Sequence, residues 1–507
     1  MSLVESLLLD EILQARKRIY AIGDPTPLEM YEGVFPFTLF LKREDLSPIH
    51  AYKWRGAYNA MAALPADLLK AGMVTASAGN HAQGVALSAR KLNAEARIYM
   101  PLSTPQMKQL EVERLGGTHV EICLKGDSYD DAYEAARADE QANHRTFIHP
   151  YDDYKVMGGQ GTLADEIVMS GQGPFDIAYL QIGGGGMAAG VSFWLKKNYP
   201  EMEIVGVEGV YQAGMAAAFE AGHPVRLDYV DVFCDGTAVR TVGEKTFPVC
   251  RSCLDRIITV SNTEVSAAIQ QLWKLARVIP EPSGAMGLAG LMQERDYLQG
   301  KRVLAIICGA NMDFHQLGRI AREADVGAHR LRYFRVFIPE GPGEMLNLLS
   351  SFPRQINIAE FLYGKSDINQ AAPVVGFEGP PEELAMLEQR FENSGVKVQE
   401  VTGEIEVEFR VIPFSANLVR FPVFLTLEFH ERPGALAGFL KSIGEQASIC
   451  YFNYTYSGER VGRALLGFEF DSPQQAEQFR EQLPAIRGKG IREYREIPDE
   501  HILSLLK

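Results

Sequence analysis

The sequence predicts an α/β head built on parallel sheets, followed by two small α+β units that repeat one pattern. Three observations carry this. From about residue 38 to 310, short apolar runs alternate with helical stretches. Several of those runs end in glycine. Beyond "DVGAHRLRY" (325–333) the character changes, and one motif recurs with a constant offset of 91 residues. Strands alternating with helices imply a parallel sheet covered on both faces. Sites in open sheets of this kind lie beyond the carboxyl ends of the strands. A chain of 507 residues suits about three domains.

Taken in order, "MSLVESLLLDEILQARK" carries acidic residues among its apolar ones. It has no basic leader, so it reads as an amphipathic helix and not a secretory signal. The runs 97–100 (RIYM), 177–185 (IAYLQIGGG), 204–209 (IVGVEG) and 302–310 (RVLAIICGA) read as strands. The stretches 80–92 and 129–142 read as helices. In the tail, "VFIPEGPGEMLNLLSSF" (336–352) matches "LEFHERPGALAGFLKSI" (427–443). Pro342-Gly343 pairs with Pro433-Gly434, Ile358 with Ile449, Phe361 with Phe452 and Tyr363 with Tyr454, always 91 residues apart. Each copy reads as strand, Pro-Gly turn, helix, strand and then a second helix, 380–394 or 472–483: a β-α-β-β-α-β-like, ferredoxin-like unit. Segment 403–420 links the copies or supplies an edge strand.

The net charge of −15, with no dense Lys/Arg run, argues against nucleic acid as a partner. No apolar stretch is long enough to span a bilayer, so no membrane is expected. Six scattered cysteines suit a reducing compartment, and hence the cytoplasm, without a disulfide framework. Cys250 and Cys253 form a lone CxxC; a zinc site needs more ligands than this, so no metal is expected.

Five stretches carry chemistry. "HAYKWRG" (50–56) sets Lys53 between Tyr52 and Trp54. An ordinary lysine stands in water; one held among rings suits an amine nucleophile. "TASAGNHAQGVALSARKL" (75–92) leads through Ser77, Ala78, Gly79 and Asn80 into a helix that Ser or Asn can cap, and whose free N–H groups would hold a carboxylate. "QIGGGGMAAG" (181–190) ends a strand in four glycines before a helix. This reads as a phosphate cradle sooner than a structural glycine run, which would be entropically costly, and it lacks the GxGxxG or GK[ST] of nucleotide sites. In "AIICGANMDF" (305–314), Cys308 ends a buried strand, either as a core thiol or facing the site. In "VIPEPSGAMGLAGL" (278–291), Glu281 is either a helix-start carboxylate or a catalytic one.

Together with "DPTPLE" (24–29), "KREDLSPIHAYKWRGAYNAM", "EPSGA" and "CGAN", these stretches resemble the pyridoxal-phosphate enzymes of fold type II, the tryptophan-synthase-β type. Within them the chain resembles the biosynthetic threonine dehydratases. The resemblance covers roughly residues 1–325 and extends into the tail, where that family carries two ACT-like regulatory units. It implies a catalytic domain at 1–325 and regulatory subdomains at 331–403 and 420–507. It implies that Lys53 bonds pyridoxal 5'-phosphate as a Schiff base and that Tyr52 lies against the cofactor. Ser77, Ala78, Gly79, Asn80 and His81 would bind the substrate carboxylate, with Asn80 also reaching the ring hydroxyl. Gly183, Gly184, Gly185 and Gly186, with Met187, would cradle the phosphate. Cys308 would stand beside the pyridine nitrogen, where many relatives have serine.

The family's reaction is α,β-elimination from L-threonine, and more weakly L-serine, to 2-oxobutyrate and ammonia. This is the first step of isoleucine biosynthesis, inhibited by isoleucine with valine as antagonist, in a homotetramer. Two rivals are a catabolic dehydratase or serine racemase, which usually lack the two tail copies, and a non-enzymatic amino-acid sensor, which would not need an intact Lys53, Asn80 and Gly183–Gly186.

Overall fold

A computed structural model describes residues 3–350, 356–430, 447–455, 461–486 and 491–498. It divides into two compact units, Met1–Ala324 and Asp325–Lys507.

The first unit holds two sheets. One contains β1 (Leu28–Tyr31), β2 (Thr38–Arg43), β7 (Ile177–Gln181), β8 (Glu203–Gly209), β9 (Arg256–Val260) and β10 (Arg302–Ile307), in the order β1-β2-β10-β7-β8-β9. Only β1 runs antiparallel to its neighbour. The other contains β3 (Met73–Ala76), β4 (Ala96–Met100), β5 (Val120–Leu124) and β6 (Thr146–Phe147), all parallel, in the order β5-β4-β3-β6. The central strands are buried along nearly their whole length, which is why they read as continuous apolar runs. Apolar clusters fill both faces of the larger sheet: Phe40, Leu180, Ile204 and Leu304 on one side, Leu39, Tyr179, Val205 and Val303 on the other. The first helix, Leu3–Ile19, buries Leu8, Ile12, Ala15 and Ile19, one stripe at helical spacing. The helices expected at 80–92 and 129–142 form as Asn80–Leu92 and Tyr129–Asn143, the latter closed by a Ser128/Asp131 capping box.

The second unit is one antiparallel sheet, with strands β11 (Leu331–Pro339), β12 (Asn357–Gly364), β13 (Gln370–Ala371), β14 (Val374–Glu378), β15 (Lys397–Glu400), β16 (Val423–His430), β17 (Ser448–Thr455), β18 (Val461–Glu469) and β19 (Ile491–Ile497). The repeat extends to hydrogen-bond register. Arg332 faces Phe377 in the first copy, and Val423 faces Phe468 in the second. The register slips between Ile358 and Glu360, and again between Ile449 and Tyr451. The copies join through β12 and β17, where Phe361 faces Tyr454, Tyr363 faces Phe452 and Leu362 faces Asn453. A local twofold therefore passes between Leu362 and Asn453, and the rings of Phe361 and Phe452 lie 4.6 Å apart within the shared core.

Segment 403–420 supplies no edge strand. It makes one helical turn, Ile405–Glu408, and a tighter turn, Ala416–Leu418. Both edges of β12 are already paired, with β14 and β17. The segment instead crosses that strand's face, Ser415 N–H donating to the Lys365 carbonyl at 2.8 Å. The helix expected at 380–394 forms as two, Pro381–Ala385 and Leu387–Asn393, and that at 472–483 as Pro473–Ile486. The Pro433-Gly434 turn and the helix after it lie outside the described residues. No described helix is long and apolar enough to cross a membrane. All six cysteines are free thiols, and the described residues contain no metal-binding cluster.

Candidate active site

Lys53 stands at the start of the helix Trp54–Ala62, and its amine donates to the carbonyl of Gly236 at 3.1 Å. Two residues on, the fully buried Arg55 makes a forked pair with Glu44 at 2.8 and 2.9 Å and bonds Glu166 at 2.5 Å. Glu166 also takes Lys42 at 2.5 Å. Two cations thus balance two carboxylates, the condition for burying such charge without a large penalty. This cluster clamps the first turn of the helix behind the lysine. In front, Tyr52 N–H donates to the Cys308 carbonyl at 3.1 Å and Ala51 bridges Gly309, seating the lysine beside the carboxyl end of β10. The helix Asn80–Leu92 crosses over the same backbone, since a Cβ on Gly84 would stand 3.1 Å from the Lys53 carbonyl.

The strand-end thiol faces this junction. Cys308 is buried, its Sγ lies 3.6 Å from the Ser283 carbonyl, and burial first, then the nearby Glu281 carboxylate, pushes it up to about 12. It is a neutral donor. Burial likewise raises the Tyr52 phenol well above its ordinary value.

The loop 77–81 departs from the expected capping. Gly79 is the capping residue of the helix, and neither Ser77 nor Asn80 caps it. Ser77 Oγ accepts from Gly79 N–H at 3.3 Å, while the buried Asn80 amide donates to Glu281 at 2.7 Å and accepts from Asn311 at 2.8 Å. The first helical bond runs from Gln83 N–H to the Gly79 carbonyl, so the amides before it form the positive helix end. A Cβ on Gly79 would meet nothing within 4 Å: the space before this loop is open. Ala78 packs beside it on the apolar cluster under the smaller sheet. The His81 ring points away, toward the Ile148 carbonyl at 3.0 Å, and burial holds it neutral, down to about 3.

Glu281 sits at the start of the helix Pro282–Gln293 yet does not cap it. Its carboxylate turns to Asn80, its N–H donates to the Gly309 carbonyl at 3.1 Å, and burial, then the Asp235 charge, pushes it up to about 7. Of the two sequence readings, the geometry favours the site-facing one.

The glycine run follows β7 and opens the helix Gly186–Asn198, with Gly185 at φ +94°. It is closely walled. A Cβ on Gly183 would stand 2.9 Å from Thr237 Cα, and one on Gly184 2.3 Å from the Tyr151 ring. Thr237 adjoins Gly236, so the run and the lysine meet across one segment. The Met187 side chain is buried in the core, leaving its backbone to face the helix start. Sequence reasoning missed Gly236, Asn311, Gln83 and Tyr151. "CGAN" contains Asn311, but nothing in it marks a partner for Asn80.

This geometry fits pyridoxal phosphate. An amine stands at a strand end, a glycine run has room for backbone and no side chain, and a neutral thiol and an open loop with free N–H groups at a helix start lie nearby. The second unit contains a small pocket open to solvent, lined by Glu340, Met345, Ala371, Ala447, Ile449 and Phe468, among others.

Fold and site together define an enzyme of the pyridoxal-phosphate class. Residues 20–309 match the family "Pyridoxal-phosphate dependent enzyme", and 322–409 and 422–493 match the "C-terminal regulatory domain of Threonine dehydratase". The chain is 38% identical to an "L-threonine dehydratase biosynthetic IlvA" of Burkholderia multivorans, over 92% of this chain and 94% of that one. It is 37% identical to the chloroplastic biosynthetic threonine dehydratase of Arabidopsis thaliana, covering 92% and 80%. The solved processed form of threonine deaminase isoform 2 from Solanum lycopersicum covers 62% of this chain and 93% of its own, at TM-score 0.60 and 37% identity. A maize serine racemase structure covers 63% and 98%, at TM-score 0.58 and 28% identity. The chain belongs to the pyridoxal-phosphate-dependent threonine dehydratase family with the C-terminal regulatory domain.

Proposed function

We propose that the chain deaminates L-threonine, and L-serine more weakly, by α,β-elimination to 2-oxobutyrate and ammonia, in the cytoplasm, as the first step of isoleucine biosynthesis. The observation that carries it is the Lys53 amine held at 3.1 Å from Gly236 O, between the glycine cradle and the open Gly79 loop. In this reading Lys53 holds the cofactor and, once freed, its amine takes the Cα proton. The N–H groups of loop 77–81 orient the substrate carboxylate. Gly183–Gly186 and the Met187 backbone would hold the phosphate, Tyr52 would flank the ring, and Asn80 would reach its hydroxyl. The cofactor, when bound, draws electrons from Cα and so makes its proton removable. Cys308, kept a neutral thiol by burial, would be the residue beside the ring nitrogen and could offer it a hydrogen bond but not a full proton.

We assign residues 1–325 to catalysis and 331–403 and 420–507 to two ACT-like regulatory subdomains that bind isoleucine, with valine as antagonist, in a homotetramer. The pocket beside Ile449 and Met345 offers apolar side chains to a branched aliphatic group, and Glu340, which accepts from the Tyr363 hydroxyl at 2.5 Å, is among its lining residues. The test is 2-oxo acid release from threonine, with and without isoleucine, by the full chain, by Lys53→Ala and by a chain lacking 331–507. The full chain is expected to turn over and be inhibited, Lys53→Ala to be inert, and the truncated chain to be active and insensitive. Near-normal turnover by Lys53→Ala would sink the catalytic assignment; inhibition of the truncated chain would move the effector site elsewhere.

A further inference from the structure

We propose that Lys108 and Asp235 are a cross-lobe positioning pair for Lys53, by which the smaller-sheet lobe of the first unit holds the Gly236 carbonyl against the lysine amine. The inference rests on reading Lys53 as the cofactor lysine. Lys108 lies on the helix Gln106–Gly116, which packs with the smaller sheet. Its amine meets Asp235 at 2.6 Å, with the two side chains 26% and 37% exposed. Asp235 belongs to an irregular segment, 222–243, carried by the larger-sheet lobe. Gly236, the next residue, accepts from Lys53. On its other side the Thr237 hydroxyl, with one proton to donate, lies 3.0 Å from both Gln212 Oε1 and the Cys234 carbonyl. Gly236 therefore lies between two pins, one from each lobe. The position has no room for a side chain, since a Cβ there would stand 2.9 Å from Ser283 Oγ. Both charges are felt at the buried Glu281, which Asp235 raises and Lys108 lowers, so the pair faces the site and not only solvent. A second cross-lobe pair, Arg226–Asp130 at 2.6 Å, is more exposed and is not adjacent to Gly236. It serves as the control.

The lysine and its acceptor stand on separate chain segments, and the smaller-sheet lobe reaches the acceptor's segment through Lys108, so their alignment is sensitive to how that lobe is held. An ion pair one residue from the acceptor makes that alignment conditional on the lobes being together. Exposed pairs hold such equilibria only weakly, and salt screens them, the Debye length falling from about 10 Å at 0.1 M to about 3 Å at 1 M.

The experiment uses the holoenzyme and hydroxylamine, a small nucleophile uncharged at neutral pH. The rate at which it strips the cofactor from Lys53 is followed by loss of the lysine-bound absorbance. Lys108→Met and Asp235→Asn are each expected to speed this by about two- to fivefold, the range an exposed pair can hold. Both should lose the wild-type dependence on salt. Lys108→Arg and the charge swap Lys108→Asp with Asp235→Lys are expected to return toward the wild-type rate, and Arg226→Met to leave it unchanged. Unchanged rates in both single variants, or an equal acceleration by Arg226→Met, would overturn the proposal, the latter by showing general lobe loosening. A purified protein with no lysine-bound absorbance would refute the cofactor reading itself.

Discussion

The glycine cradle offers the sharpest quantitative test, through Gly184→Ala. A Cβ at that position would lie 2.3 to 2.5 Å from three atoms of the Tyr151 ring. The ring is held: its hydroxyl donates to the Thr241 carbonyl at 3.0 Å, and it packs T-shaped against the His149 ring, centroids 4.7 Å apart. Its own Cα and Cβ already stand 3.0 Å from where a Cβ on Gly186 would be. The loop must therefore move and not the wall. Overpacking of this kind costs about 1–3 kcal/mol. If the displaced loop takes that cost out of phosphate binding, the dissociation constant rises by roughly 5- to 150-fold. The assay is titration of cofactor-stripped protein with pyridoxal phosphate, followed by absorbance, beside a thermal melt of the stripped protein. An affinity within twofold of wild type, with an unchanged melt, would show that the methyl group fits and that the cradle is not walled as described.

Gly79→Ala is the counterpart: its Cβ meets nothing in the protein and its φ of −129° suits any residue. Cofactor absorbance and melting temperature are expected to stay, while KM for threonine rises about tenfold, the loss of roughly 1.4 kcal/mol of carboxylate docking; an unchanged KM would take the substrate away from this loop. Arg55→Met leaves Glu44 and Glu166 with Lys42 alone, and removing one member of a buried ionic cluster costs about 3–5 kcal/mol. Urea unfolding by tryptophan fluorescence reads this directly, because Trp54, Trp194 and Trp273 all lie in the first unit. A loss under 1 kcal/mol, the size of an exposed pair, would contradict the burial. Glu281 holds its proton in the folded cofactor-free chain up to about 7, against 4.5 when unfolded. Its contribution is therefore full below 4.5 and declines as pH rises through 7, by about 3 kcal/mol in total. The stability difference between wild type and Glu281→Gln, measured across that window, is expected to move against the wild type with rising pH; a flat difference would mean that Glu281 is ionised throughout.

Much of the architecture was legible because it is written locally. Buried parallel strands announce themselves as apolar runs, and 80–92 reads as a helical stretch, which the structure ends at Asn93 in left-handed geometry. The repeat was legible because two copies must bury equivalent faces. Ile358 and Ile449, Phe361 and Phe452, and Tyr363 and Tyr454 kept one offset, and the structure carries that offset into the strand register and its slips. Of the two readings of 403–420, linker or edge strand, the structure takes the linker, and only the sheet order could decide between them. The supposed cap at Ser77 or Asn80 failed because Asn80 has stronger long-range partners than the local amides.

The sequence by itself determined the α/β head, the doubled tail and the stretches that carry Lys53, the Gly79 loop and the four glycines. Those are patterns of side-chain type and spacing, and a chain displays them before it folds. Only the tertiary structure decided what these stretches meet. Gly236 is 183 residues from Lys53 and acts through a carbonyl that every residue possesses. Glu281 is 201 residues from Asn80, and its proton depends on how completely the fold excludes water from it. Lys108 and Asp235 look like any two surface charges until the lobes bring them together. Backbone acceptors, desolvation and cross-lobe distances leave no mark on residue identity, so no reading of the chain alone could have supplied them.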